Sequence, residues 1–236
     1  VIDLHAHILP GLDHGPGDWD EALEMCRIAV ADGITTLAAT PHVSEVFPNG
    51  SARIEAAVAE LRGRLAQAAI PLAIVSGGDY HIRPDLAPEN VLTLGGNGRY
   101  FLLEFPYQVL PLRADAFVRT LVGRGLTPIF THPERTVSLQ HDWKRLEPIV
   151  KAGALVQVTA DSLLGNFGKP AAATAERFLK KGWVHLLASD AHWANERVPQ
   201  LAAGRDAAAR ILGAERAAAL VGANPRAVLE GRDLPA

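Results

Sequence analysis

A single cysteine in 236 residues excludes an intramolecular disulfide and fits a reducing compartment. Cys26 falls on a helical stripe with Trp19, Leu23 and Val30, with no histidine before it and no glycine-rich phosphate loop after it. It reads as a core residue, which argues against cysteine-based phosphatase chemistry. No apolar run reaches the length of a membrane span, so stable membrane insertion is not expected. Basic residues are not in excess either. With a net charge of −3 and well-mixed charges, the chain has no stripe to neutralise a nucleic-acid backbone, and nucleic acid is not expected as a partner. The apolar start lacks a basic leader and a cleavage site, so it reads as a first strand rather than a signal peptide, and a cytoplasmic location is expected. Low-complexity segments and sequence repeats are also missing.

What remains is 48% apolar content, enough for one large domain spanning 1–236. Asp18-Trp19-Asp20-Glu21 has capping-box spacing, and apolar residues at 19, 22, 23, 26, 29 and 30 predict a helix ending at Gly33. Ile54, Val58, Leu61 and Leu65 mark a second helix after a turn-rich loop at 43–50. Strand-like runs are expected at the start and at 34–39, 71–76, 99–103, 127–130, 154–158 and 184–188. A helix bearing Phe117 and Leu121 precedes the fifth run. A long loop with Leu163-Leu164-Gly165-Asn166-Phe167-Gly168 follows the sixth, and Pro170 opens the next helix. Seven strands separated by helices predict an α/β fold with a parallel sheet able to close into a barrel.

In such folds the chemistry sits at the carboxyl ends of the strands. His5 and His7, His42, Asp79, Glu104, His132, and Asp190 with His192 all fall there. After His5 and His7 a Pro-Gly turn brings Asp13 and His14 back toward the same place. Imidazole and carboxylate donors suit manganese, iron, cobalt or zinc, and their number predicts two or three ions sharing Glu104 or Asp190 as a bridge. His81 reads equally as a ligand or as a neighbour of one. His185 and His141, the latter expected to open a helix, read as structural, and Glu134 as a partner of Arg135. Arg135 and Arg197 follow two of the clusters; they are expected either to fork onto phosphate oxygens or to stand solvated at the surface.

The stretches His5-Ala6-His7-Ile8-Leu9-Pro10-Gly11-Leu12-Asp13, Thr40-Pro41-His42, Leu103-Glu104-Phe105, His132-Pro133-Glu134-Arg135, Leu163 to Gly168, Ser189-Asp190-Ala191-His192 and Asn224-Pro225 occur in order along the chain. In this pattern the sequence resembles the polymerase-and-histidinol-phosphatase (PHP) superfamily. Within it the nearest resemblance is to the manganese-dependent bacterial protein-tyrosine phosphatases of capsule and exopolysaccharide clusters. The resemblance implies a distorted seven-stranded (β/α)7 TIM-like barrel, the PHP fold, with a trinuclear site. His5, His7, Glu104 and Asp190 would hold one ion, His42 and His192 a second, and Asp79, Glu104 and His132 a third. The family usually has Asp where His14 stands, as a ligand, and Glu where Asp79 stands.

The expected activity is hydrolysis of a phosphotyrosine ester by a metal-bound hydroxide. Arg135 and Arg197 would hold the phosphoryl oxygens, and His42 or His192 would serve as acid. Phe47 and Tyr107 are candidates for stacking on a substrate ring. The resemblance further implies a bacterial tyrosine kinase with a tyrosine-rich tail as substrate, and a role in polysaccharide export. The competing expectations are a small-molecule phosphatase acting on a compound such as histidinol phosphate, and a metal-poor phosphotyrosine-binding protein.

Overall fold

The computed structural model describes residues 1–235; Ala236, the last residue of the expected domain, lies outside them. The chain alternates strand and helix. β1 (Ile2–Ala6), α1 (Trp19–Ala31), β2 (Thr36–Ala39) and β3 (His42–Val43) come first, followed by α2 (Ser51–Gln67), β4 (Ala73–Ser76), β5 (Asp79–His81) and β6 (Tyr100–Glu104). Next are α3 (Ala114–Gly123), β7 (Thr127–Thr131), α4 (Val137–His141), α5 (Glu147–Lys151), β8 (Leu155–Thr159), α6 (Ala160–Leu164), α7 (Gly168–Lys180) and β9 (Leu186–Ala188). Three helices close the chain: α8 (Ala202–Leu212), α9 (Ala214–Ala219) and α10 (Ala223–Leu229).

The helix signals act as their chemistry predicts. The Asp18 carboxylate accepts from the Glu21 backbone N–H at 2.9 Å, capping α1, which buries Ala22, Met25, Cys26 and Ala29. α2 buries Ile54, Val58, Leu61 and Leu65, the expected stripe. Every strand pairing is parallel. One sheet runs β1-β2-β4 and the other β3-β5-β6-β7-β8-β9. All five residues of β1 and of β7 are buried, as strands covered on both faces must be.

Among the described residues the strands number nine rather than seven, because two short strands, β3 and β5, follow the expected runs at 34–39 and 71–76. Pro41 has no N–H to continue a ladder, and it separates β2 from β3. Opposite it, Gly77 and Gly78 separate β4 from β5. A Cβ on Gly77 would meet Leu94 Cδ2 at 2.8 Å and Thr40 Cγ2 at 3.0 Å, so only glycine permits that approach. Backbone bonds from Gly77 N to the Ala39 carbonyl (3.1 Å) and from Asp79 N to the Pro41 carbonyl (3.0 Å) carry the pairing across the break. At the other edge β1 and β9 share no ladder. A single bridge, Ala6 to Ala191, joins them, flanked by bonds from Asp190 N to the His5 carbonyl (2.9 Å) and from His7 N to the Ala191 carbonyl (2.8 Å).

Two local expectations change. The segment after the sixth expected strand is not wholly loop: α6 occupies its first five residues and ends where Gly165 turns left-handed at φ 86°. His141 closes α4 instead of opening a helix. Cys26 is fully buried, as expected of a core residue. One core cluster gathers Ile2, Leu4, Ala38, Leu102, Ile129 and Leu186 with Val228 of α10. On β6 the face that carries Leu102 into this cluster carries Glu104 two residues later, which is how an apolar strand delivers a carboxylate at its end. Among the described residues, no helix is long and apolar enough to cross a membrane.

Candidate metal centre

β1 places His5 at its carboxyl end and His7 just past it, and both rings are fully buried. A second bond on each ring decides which nitrogen faces the other. His5 Nδ1 lies 2.8 Å from Gln157 Oε1 on β8, and an amide oxygen only accepts, so Nδ1 carries the proton. His7 Nδ1 lies 2.6 Å from Asp13 Oδ2, and a carboxylate likewise leaves the proton on Nδ1. His192 Nδ1 donates to the Asp190 backbone carbonyl at 2.9 Å. All three rings therefore turn an Nε2 lone pair away from these partners, the arrangement by which metal-ligating histidines are oriented. The Nε2 atoms of His5 and His7 face each other at 3.1 Å, so a positive charge, a proton or a metal cation, is called for between them.

Carboxylates complete the group. Asp190 Oδ1 sits 3.5 Å from His5 Nε2 and 3.4 Å from His7 Nε2. Asp79 Oδ2 sits 3.5 Å from His5 Nε2 and 3.3 Å from His42 Nδ1, and Glu104 Oε1 lies 3.5 Å from His132 Nε2. Donor atoms within 4.8 Å of one another form four sets: His5, His7 and Asp190; His7, His42 and His192; Asp79, Glu104 and His132; and His42, His81 and Glu104. His42 Nδ1 and Asp79 Oδ2 are buried without a hydrogen-bond partner, which leaves both atoms free to donate to a cation. The donor set thus fits divalent cations.

The field in the site points the same way. Burial works most strongly against ionised Asp79 and Asp190, yet the field of His5, joined by His42 at Asp79 and by His7 and Arg197 at Asp190, holds both below the usual carboxylate range. Burial lowers His5 and His192, and with Arg135 it brings His132 down to about 4. It also opposes charge on His7, but Asp13 and Asp190 outweigh it and raise that ring to about 10. Carboxylates that draw a proton to His7 so strongly would draw a divalent cation to the same lone pairs.

Arg135 and Arg197 are not solvated. Their side chains are 16% and 18% exposed, and a terminal nitrogen of each meets Asp190 Oδ2 at 2.5 Å. Both guanidiniums stand over the Phe167 ring, with Cζ 4.2 Å and 5.5 Å from its centroid. Asp190 thus turns one oxygen to the histidines and the other to the arginines. Four non-glycine residues among those described have positive φ, and three of them are here: His132 (38°), Asp190 (53°) and Arg197 (50°). Backbone strain of this kind gathers at functional sites.

The expected ligands come together with one exception. His14 lies outside the four sets and is exposed; its ring stacks on His192, with centroids 4.6 Å apart, and lies 5.0 Å from His42. Asp13 faces inward instead, accepting from His7 Nδ1 and from the His42 backbone N–H at 2.9 Å. His81 Nε2 contacts Glu104 Oε2, and that bond raises its pKa. Glu134 does not pair with Arg135; it is buried and accepts from Thr159 N and Ser162 Oγ. Phe47 stacks on His42 at 5.9 Å, and Tyr107 is half exposed. Gln157 and the platform role of Phe167 escaped the sequence reading. The signal for Gln157 was a lone amide within an apolar parallel strand.

Residues 1–230 match the family described as capsular polysaccharide synthesis, CpsB/CapC. The tyrosine-protein phosphatase YwqE of Bacillus subtilis is 38% identical over 197 residues, covering 81% of this chain and 77% of its own. A crystal structure from work on YwqE and on CpsB of Streptococcus pneumoniae, described as unique metal-dependent tyrosine phosphatases, matches with a TM-score of 0.93 and 33% identity. That match covers 100% of this chain and 96% of the other. An L-hydantoinase from Arthrobacter aurescens, at 12% identity and a TM-score of 0.50 over 97% of this chain and 70% of its own, shares the TIM-barrel-like fold alone. With the PHP-like motifs in order and one family matching nearly the whole length, the chain belongs to the CpsB/CapC family.

Proposed function

We infer that this protein is a metal-dependent protein-tyrosine phosphatase, a phosphoric monoester hydrolase that frees phosphate from phosphotyrosine. One observation carries the reading: a single carboxylate, Asp190, joins a nest of inward-facing histidine lone pairs to two stacked guanidiniums. Cation holding and oxyanion capture are thereby fixed side by side. Divalent ions, when bound, lower the pKa of water and neutralise charge on the phosphoryl group. His5, His7, His42, Asp79, Glu104, His132, Asp190 and His192 would hold them.

The chain's own residues do the rest. Arg135 and Arg197 bind the phosphoryl oxygens and orient the ester in line. Phe167 beneath them limits their rotamers, which raises the fraction of time both point at one anion. Whichever of His42 and His192 the ions leave free would hand a proton to the leaving oxygen. A phenolate, with a parent pKa of about 10, makes little demand on that proton. Phe47, stacked on His42, and the exposed Tyr107 would stack on a substrate ring.

Two or three ions bind, manganese first, with iron, cobalt or zinc able to take its place, and His14 serves at most as a neighbour of the ligands. The strand segments amount to a distorted seven-stranded barrel, since two pairs of segments continue each other and one bridge links β1 to the end of β9. The substrate is the tyrosine-rich tail of a bacterial tyrosine kinase that governs polysaccharide export, which places the protein in the cytoplasm.

The test strips the protein of metal, restores manganese, and follows phosphate release from a phosphotyrosine peptide beside histidinol phosphate, with bound metal read by elemental analysis. Peptide turnover with two or three ions per chain supports the reading. Turnover of histidinol phosphate alone overturns the substrate assignment, and silence on both with fewer than two ions overturns the enzyme. Glu104→Gln keeps the side chain's shape while removing its charge, and it should cut turnover by roughly 100-fold or more with an unchanged circular dichroism spectrum.

A further inference from the structure

The turn that carries Arg135 is anchored by a side chain with no contact to the reacting groups. Glu134 sits between the expected ligand side of the turn and Arg135, and its carboxylate is fully buried. Oε1 accepts from the backbone N–H of Thr159, at the end of β8, at 3.0 Å and from the Ser162 hydroxyl in α6 at 2.6 Å. Its backbone carbonyl accepts from Gln140 Nε2 in α4 at 3.0 Å. α6 ends at Leu164, and three residues later Phe167 lies under both guanidiniums. The contacts therefore form a ring: Glu134 to α6, α6 to Phe167, Phe167 to Arg135, and Arg135 back to Glu134 along the chain.

We propose that Glu134 is a positioning residue that sets the spacing between Arg135 and Phe167, and through Phe167 that of Arg197, so that both guanidiniums meet one oxyanion. This rests on the phosphatase reading above. A buried carboxylate is tolerated only when bonded, so its place in the fold calls for a gain elsewhere. The turn it anchors is a single 3-10 turn, Pro133–Arg135, that starts from His132 in a left-handed conformation. Such a turn keeps its shape only when its surroundings over-determine it. Removing the carboxylate leaves Thr159 N and Ser162 Oγ unpaired and frees the turn from α6. Arg135 then explores more rotamers, and anion capture weakens while His5, His7 and His192 keep their own partners.

The test uses manganese-loaded full-length protein and the variants Glu134→Ala, Glu134→Gln, Arg135→Ala and the double variant Glu134→Ala/Arg135→Ala. Inorganic phosphate binding by calorimetry is measured beside KM and kcat on a phosphotyrosine peptide and metal content. Glu134→Ala should weaken phosphate binding and raise KM about tenfold, with kcat within about threefold and full metal content. Glu134→Gln, which retains an accepting oxygen for Thr159 and Ser162, should recover most of the loss. In the Arg135→Ala background the Glu134→Ala change should add less than about twofold, the share that reaches Arg197 through Phe167, because the larger share acts through the missing guanidinium.

Unchanged phosphate affinity in Glu134→Ala, or full additivity with Arg135→Ala, overturns the proposal. If Glu134→Ala does not fold, Ser162→Ala takes its place in the same cycle, with about threefold weaker binding expected and additivity again decisive. Phosphate binding without peptide turnover would remove the phosphatase reading and still decide the role of Glu134.

Discussion

His5 and Gln157 lie 152 residues apart, yet the amide oxygen of one decides the tautomer of the other. Gln157→Leu should therefore let the His5 ring turn and weaken metal binding about 10- to 100-fold, measured by competition with a chelator of known affinity; unchanged affinity would remove Gln157 from the site. His185 shows the opposite use of an imidazole. Its Nδ1 accepts from Val156 N at 3.0 Å, and burial lowers its pKa to about 4 from 6.5. The unfolded chain then takes up the proton before the folded one does. Stability present above pH 6.5 is lost as pH falls from there toward 4, by up to roughly 3 kcal/mol. His185→Asn keeps an acceptor without the titration, so urea unfolding at pH 7 and pH 4.5 should show a smaller acid loss in the variant. The residue types of the site were legible, since histidine and acid recur at strand ends, but Glu134 was misread because its neighbour Arg135 was the obvious partner in sequence.

α6 shows what short elements hide. Five residues, Ala160 to Leu164, are too few to display a period, so a loop was expected where a helix stands. α8 packs on α6 so closely that a Cβ on Gly204 would lie 2.6 Å from Ala160 Cβ and 2.8 Å from its Cα. Gly204→Ala should push α6 away, at a cost of about 1–3 kcal/mol in urea unfolding, and should weaken phosphate binding through Phe167; a variant as stable as wild type would mean that the two helices slide apart freely. The longer elements needed no such help. α1 and α2 announced themselves by a cap and by stripes of four or more apolar residues, and both stand where the spacing puts them. β3 and β5 were not foreseen because Pro41 and Gly77-Gly78 sit next to candidate ligand residues and read as strand ends.

At the scale of the whole molecule, the buried group of imidazoles and carboxylates is the costliest part of the interior to leave without compensating charge. Metal binding should accordingly stabilise the fold. Chelation should lower the thermal midpoint, and manganese at about 100 times its dissociation constant should restore about 2.7 kcal/mol, read by calorimetry; a midpoint indifferent to chelator would mean that the ions do not bind in this interior. The parallel α/β architecture and the rim on which the candidate ligands gather were readable in the chain order, because strand alternation and helix caps are local rules that act over a few residues. The direction of each lone pair, the burial of Glu134, the sharing of Asp190 by two arginines and the exposure of His14 were not readable. They depend on partners brought together from opposite ends of the chain, as Asp3 and Ser189 are, 186 residues apart. Sequence order carries the chemical identity of the donors. Only packing sets which atom of each donor meets which neighbour, because hydrogen-bond geometry is satisfied in space and not along the chain.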